Sequence, residues 1–261
     1  FRYRVGLFAW FFSTVIAPAM GWSRRIRENL KLAYPSSDRA ALLILEKKVR
    51  QNIGMTLIEI FSPMNVVNDA CKATACGDGF EEFLSAQKAG RPAILIGAHF
   101  GNYDIARAFL ADQGYPIAGF YRPMKNKIFN KFYVSSIGKI KGPLFRQGRR
   151  GLVEMIRHLK QGVAVGILND IYKKNGVYLD FLGSPAKTSL SAAEMAIRHN
   201  ALLLPVFVVR SQEEGRFKIV MHKGIKHSSP SQMMSEFNRL LEFQIEKHPE
   251  QWFWVHRRWK I

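Results

Sequence analysis

His99 and Asp104 stand directly after the apolar run Ile94-Leu95-Ile96-Gly97-Ala98. That run has the composition of a buried strand, and in open α/β sheets ligands gather beyond the carboxyl ends of strands. An imidazole at such a point can take a proton near neutral pH. A carboxylate one helical turn on can hold one ring nitrogen and leave the other as an acceptor facing a pocket. If Gly101 lets the chain turn sharply, Asp104 in the first turn of the next helix reaches back to the ring. The competing reading is a histidine that only caps or packs, and the pair at this spacing does not by itself decide between them.

Such a pair needs elements to position it. Leu42, Leu45, Val49, Ile53, Leu57 and Phe61 recur at helical spacing after the start signal Ser36-Ser37-Asp38 and before Pro63, which predicts one long amphipathic helix. Residues 1–62 are therefore expected to be helical, with a connector over Asn65 to Gly79 and an α/β domain over 63–261. Beyond Gly79, short apolar runs bounded by Gly and Pro alternate with helical patterns. Strands are expected at Ala93 to Ala98, Pro116 to Tyr121, Val163 to Leu168, Leu202 to Val209 and Phe217 to Met221. Helices are expected at Ile105 to Leu110, Leu152 to Leu159 and Leu190 to Arg198, and around Leu240 to Ile245 before Pro249.

The chain of 261 residues is 48% hydrophobic with nineteen phenylalanines, enough to bury a large core and to exclude disorder. Lys and Arg number 39 against 20 acidic residues, a formal charge of +19 that calls for a polyanionic partner or surface. Nucleic acid, an anionic membrane face and an acidic protein or phosphorylated substrate all satisfy it. Cys71 and Cys76 lack companions at ligand spacing, so neither a zinc site nor a disulfide framework is expected, and the pattern calls for no cofactor. Val5 to Met20 is a nearly uncharged stretch of sixteen residues flanked by Arg and Trp, short of the roughly 20 residues of a full span. Pro18 and the flanking residues favour an interfacial or shallowly inserted anchor, the alternative being a buried helix of the domain.

The motifs resemble those of the lauroyl/myristoyl lipid A acyltransferases over nearly the whole chain. His99-Phe100-Gly101-Asn102-Tyr103-Asp104 is similar to the His-x4-Asp/Glu box, and Tyr121-Arg122-Pro123-Met124-Lys125-Asn126 to the second. Asn169-Asp170, with Gly176-Val177-Tyr178 and Phe181-Leu182-Gly183-Ser184-Pro185-Ala186, resembles the third. Leu204-Pro205-Val206-Phe207 resembles the fourth, and His248-Pro249-Glu250-Gln251-Trp252 through His256-Arg257-Arg258 the ending. The chain departs from the pattern with Ile171 where Gln is frequent, Asp180 where Pro is, and Asp104 where Glu is common.

The resemblance implies a glycerophosphate-acyltransferase-like α/β fold, a mixed sheet flanked by helices, at the cytoplasmic face of a bacterial inner membrane. It implies an acyl carrier protein or acyl-CoA thioester as donor and a lipid A precursor hydroxyl as acceptor, without an acyl-enzyme. A hydroxyl must lose its proton as it attacks the thioester; His99 is the expected base and Asp104 its partner. Backbone N–H groups around Gly101 and Asn102 are expected to face the oxyanion. Arg122 suits bidentate phosphate contact, with Lys125 a second cation for the same job. Asp170 either orients Arg122 or binds the acceptor. The loop at Gly183 either lets substrate approach or is an ordinary turn. The basic run Lys139, Lys141, Arg146, Arg149 and Arg150 suits an acidic carrier or acceptor phosphates, and Trp252, Trp254 and Trp259 suit either an interface or the core. Acylation of another glycolipid or phospholipid is the nearest alternative. A basic nucleic-acid-binding protein is the rival class, though without a recognisable nucleic-acid motif.

Overall fold

The computed structural model describes residues 2–211 and 217–260. The chain opens with α1 (Arg2–Phe11), a π-helical turn (Phe12–Ile16) and the short α2 (Ala17–Ala19), followed by α3 (Trp22–Ala33) and α4 (Arg39–Ile60). Gly21, at φ +71°, takes a left-handed conformation that ends the first helical run. The segments Tyr3–Ala19 and Trp22–Ala33 meet there at 88°. Among the described residues no single helix is long and apolar enough to cross a membrane. Asp38 starts α4 by accepting the Ala40 and Ala41 N–H groups at 2.9 and 3.3 Å, satisfying two of its orphan donors.

The remaining elements are α5 (Pro63–Ala70), β1 (Thr74–Cys76), α6 (Gly79–Lys88), β2 (Ala93–Gly97), α7 (Asp104–Asp112), β3 (Ala118–Tyr121) and α8 (Lys127–Ile137). Then come β4 (Leu144–Arg146), α9 (Arg149–Lys160), β5 (Val165–Leu168), β6 (Val177–Phe181), β7 (Ser184–Thr188), α10 (Ser191–Arg198), β8 (Leu202–Arg210), β9 (Phe217–Met221) and α11 (Pro230–Lys247). Seven strands form one mixed sheet in the order β1-β9-β8-β2-β5-β3-β4. Every neighbouring pair is parallel except β8 with β9. β6 and β7 make a separate antiparallel hairpin.

Helices cover both faces of the sheet, which is why its central strands read as unbroken apolar runs. Alternate residues of β2 feed opposite layers. Ile94 and Ile96 join Phe12, Ile26, Val49, Phe237 and Trp252 in one core, so the N-terminal helices and the sheet share it. Ala93 and Leu95 join Phe83, Ile105 and Leu110 in the other. All five expected strands are present, with ends within a few residues of those read from sequence. The segment expected to be a connector instead carries α5 and β1, and α8 and the β6–β7 hairpin were not foreseen.

Candidate active site

The parallel register of β2 and β5 sets Gly97 opposite Leu168, so the two chains leave the sheet side by side. Two residues beyond that pair lie His99 and Asp170. His99 Nδ1 is 2.8 Å from one carboxylate oxygen of Asp170, and the His99 backbone N–H donates to the other at 3.0 Å. The Trp252 indole N–H donates to that second oxygen at 3.0 Å. Burial pushes the Asp170 carboxyl up, but His99, in charge and in hydrogen bonding, outweighs it and holds the group well below the usual carboxylate range. An ionised carboxylate only accepts, so Nδ1 carries the proton and Nε2 is left as the acceptor.

Sequence reading placed Asp104 on this ring; the geometry gives that position to Asp170. Asp104, buried at the start of α7, accepts instead from Arg107 Nη1 at 3.2 Å. Burial raises its pKa above the ordinary value against the opposing pull of Arg107 and His99.

The loop carrying His99 is fixed from three sides. The C-terminal segment runs antiparallel beside it, with a Phe100–Trp252 bridge. Gly101 donates its N–H to the Gln251 carbonyl and Phe253 donates to the His99 carbonyl, both at 2.9 Å. α4 supplies a second anchor, Thr56 Oγ1 donating to the Gly101 carbonyl and Glu59 accepting from Asn102 Nδ2 at 3.1 and 3.0 Å. β8 supplies the third, because Arg210 from its end pairs with the same Glu59 carboxylate at 2.8 Å. The His99, Phe100 and Gly101 N–H groups are all engaged, the last by Gln251, so Gly101 does not offer the expected oxyanion donor.

His256 lies edge-on to His99, ring centroids 4.7 Å apart, and burial followed by the charge of His99 lowers its pKa to about 4. Its Nε2 is buried without a hydrogen-bond partner. His99, Asp170 and His256 bring atoms of metal-ligating type within 4.8 Å of one another. The Asp170 oxygens are already taken by three N–H donors, which makes the cluster a support for the imidazole rather than an open cation cage.

A cavity of about 470 Å³ opens at this point, lined by His99, Tyr103, Asp104, Arg107, Arg122 and His256. Deeper in, Leu95, Ile117, Ile137, Leu144 and Val206 make its wall apolar. Arg107 enters it with Nε and Nη2 buried and unpartnered. Lys125 is exposed beyond the lining residues. Gly183 also lies outside them, where with Leu182 it forms a two-residue hairpin turn at φ +72° and +48°, a backbone demand that accounts for the glycine. Trp252 and Trp254 are fully buried and Trp259 nearly so, which assigns these rings to the core. Arg107, Trp252 and His256 were not singled out from sequence as site residues; the last two showed only as members of the closing family box and of an aromatic and basic cluster at the C-terminus.

Comparison with known proteins identifies the family of the whole chain. The family model described as bacterial lipid A biosynthesis acyltransferase matches residues 5–261. The chain is 23% identical over 241 residues to the lipid A biosynthesis palmitoleoyltransferase of Escherichia coli, covering 90% of this chain and 77% of that one. It is 25% identical over 248 residues to the lipid A biosynthesis lauroyltransferase of the same species, covering 90% and 78%. A lipid A biosynthesis acyltransferase of Haemophilus influenzae is 23% identical over 243 residues, covering 90% and 76%. With a family match running almost end to end and enclosing every cavity residue, the chain belongs to the bacterial lipid A biosynthesis acyltransferases, enzymes that transfer acyl groups.

Proposed function

We propose that this enzyme moves a fatty acyl chain from a carrier-protein or coenzyme A thioester onto a hydroxyl of a lipid A precursor, with His99 as general base and Asp170 as its orienting partner. The observation that carries the reading is the Asp170 carboxylate on Nδ1, which leaves Nε2 free to take the hydroxyl proton. The alkoxide oxygen bonds to the thioester carbonyl carbon as that proton reaches Nε2. The tetrahedral intermediate then collapses, the C–S bond breaks, and the imidazolium returns the proton to the leaving thiolate. Asp170 stabilises the transient imidazolium. The cavity guanidiniums Arg107 and Arg122 are the donors at hand for the oxyanion and for phosphate, and Asp104 holds Arg107 in place. The apolar inner wall receives the acyl chain.

The same reading gives a glycerophosphate-acyltransferase-like fold working at the cytoplasmic face of an inner membrane, with the N-terminal segment 1–62 associating with the bilayer. The exposed side chains of Tyr3, Leu7, Trp10, Phe11 and Val15 support that association. The test is transfer by the purified full chain from an acyl thioester to a lipid A precursor, followed by mass spectrometry. His99→Ala should abolish the added acyl mass without changing the far-ultraviolet dichroism; near-normal turnover by that variant would sink the assignment.

A further inference from the structure

The exposed face of α8 belongs to no core. Ile128, Phe129 and Phe132 are 70%, 55% and 65% exposed, a large apolar cluster to leave in water. Further round the helix, about 140° from the Ile128 and Phe132 stripe, Tyr133 and Ile137 line the cavity, as do Arg122 and Met124 on the segment entering the helix. One helix thus carries both a cavity-lining stripe and an exposed apolar stripe, with Phe129 between them.

The N-terminal helix brings more of the same surface to this end of the molecule. Arg50 on α4 donates to the Ser13 carbonyl, while Gly54 lies against Ala9 and Phe12. As α4 advances, α1 therefore recedes, and the first turns of α1 approach the carboxyl end of α4. There Phe61 meets Phe129 edge-on, ring centroids 5.7 Å apart. Exposed Tyr3 and Leu7, Phe61 and Met64, and Ile128 and Phe132 consequently belong to one end of the molecule.

Charge identifies what this face meets. From Gln113 to Val153 the sequence has no acidic residue and nine basic ones, of which Lys125, Lys127 and Lys131 are exposed beside the phenylalanines of α8. Apolar side chains ringed by exposed lysines match the acyl boundary and headgroups of an anionic bilayer. An acidic carrier protein would answer the lysines alone, whereas the exposed apolar cluster continues onto α1 through Tyr3 and Leu7, as a face laid along a bilayer would.

We infer that the outer face of α8, with the first turns of α1, inserts into an anionic membrane surface and sets the cavity mouth at the headgroup level, so that a lipid acceptor enters from the bilayer. This rests on the acyl-transfer reading for the identity of the acceptor; the docking itself is measurable without turnover.

The experiment is co-sedimentation of the full chain with vesicles of phosphatidylglycerol and phosphatidylethanolamine. Ile128→Ser with Phe132→Ser should lower partitioning by about tenfold or more, each side chain losing its apolar burial. Lys127→Gln with Lys131→Gln should lower it on the order of fivefold per lysine, an effect erased by high salt or by phosphatidylcholine vesicles. Both variants should transfer acyl chains to a detergent-solubilised acceptor at the wild-type rate, since none of the four residues lines the cavity. Wild-type partitioning by the Ile128 and Phe132 variant would overturn the inference. So would intact vesicle binding with loss of transfer from a carrier-protein donor in detergent, which would make the face a carrier dock. A chain that partitions through α8 yet acylates no lipid would overturn the function reading alone.

Discussion

Trp252 and His99 share one carboxylate oxygen: the indole N–H and the histidine backbone N–H each donate to the same oxygen of Asp170 at 3.0 Å. A residue in the C-terminal segment thereby fixes the carboxylate that holds the His99 ring. Trp252→Phe keeps most of the buried ring and removes the donor, at a cost of roughly 1.5–3 kcal/mol for a hydrogen bond to a charged group. We expect kcat to fall about tenfold with KM little changed. Steady-state kinetics alongside near-ultraviolet dichroism would check this, and an unchanged kcat would show that the Asp170 orientation does not depend on Trp252.

If His99 is the base proposed above, the two carboxylates near it should separate on mutation. Asp170→Asn removes the charge and puts the wrong partner on Nδ1, which in comparable base–carboxylate pairs costs on the order of 10⁴ in kcat. Asp104→Asn removes the Arg107 ion pair and should cost far less, about tenfold. Equal losses in single-turnover measurements would restore Asp104 to the ring.

Gly119 offers a handle on chain length. A methyl group there would lie 2.9 Å from Leu144 Cδ2 and 3.3 Å from Arg107 Cζ, both movable side-chain atoms that line the cavity. Gly119→Val should shorten the preferred acyl chain by about two carbons, each buried methylene being worth ~0.8 kcal/mol. Competition between thioesters of different length, read by mass spectrometry, decides it; an unchanged preference places the chain elsewhere.

Acid stability should report His256. Its folded-state pKa of about 4 lies below the ordinary histidine value of 6.5, so the unfolded chain binds more protons between these pH values. Its contribution is therefore complete above pH ~6.5 and is lost as pH falls toward ~4. Between pH 7 and pH 5 His256→Gln should lose roughly 2 kcal/mol less stability than wild type. Urea unfolding of both proteins at pH 7 and pH 5 tests the difference, and parallel curves would refute it.

The strands were legible because a sheet covered on both faces writes continuous apolar runs into the chain. α8 was not, since its outward phenylalanines blur the helical period that a buried face would show. His99 was found through its place after a strand. Its partner was sought one helical turn away, where sequence proximity pointed, whereas the bond crosses from β2 to β5, 71 positions along the chain. The Asn169-Asp170 box at a strand end was visible, but only the Gly97–Leu168 register shows that it stands beside His99. His256 and Trp252 carry no local signal for their roles.

The histidine loop also sorts lesions by phenotype. A Cβ at Gly101 would sit 2.1 Å from the Val208 carbonyl oxygen in a backbone held at φ +54°, so any replacement there attacks the fold itself. Two residues earlier, His99 is partly exposed to the cavity and can be exchanged without disturbing that packing. In a genetic selection the two positions should behave as different classes of allele. Changes at Gly101 would be recovered as recessive nulls with little protein in the cell. Changes at His99 would accumulate to normal levels and, when overproduced, compete with the functional copy for acceptor lipid as dominant-negative alleles.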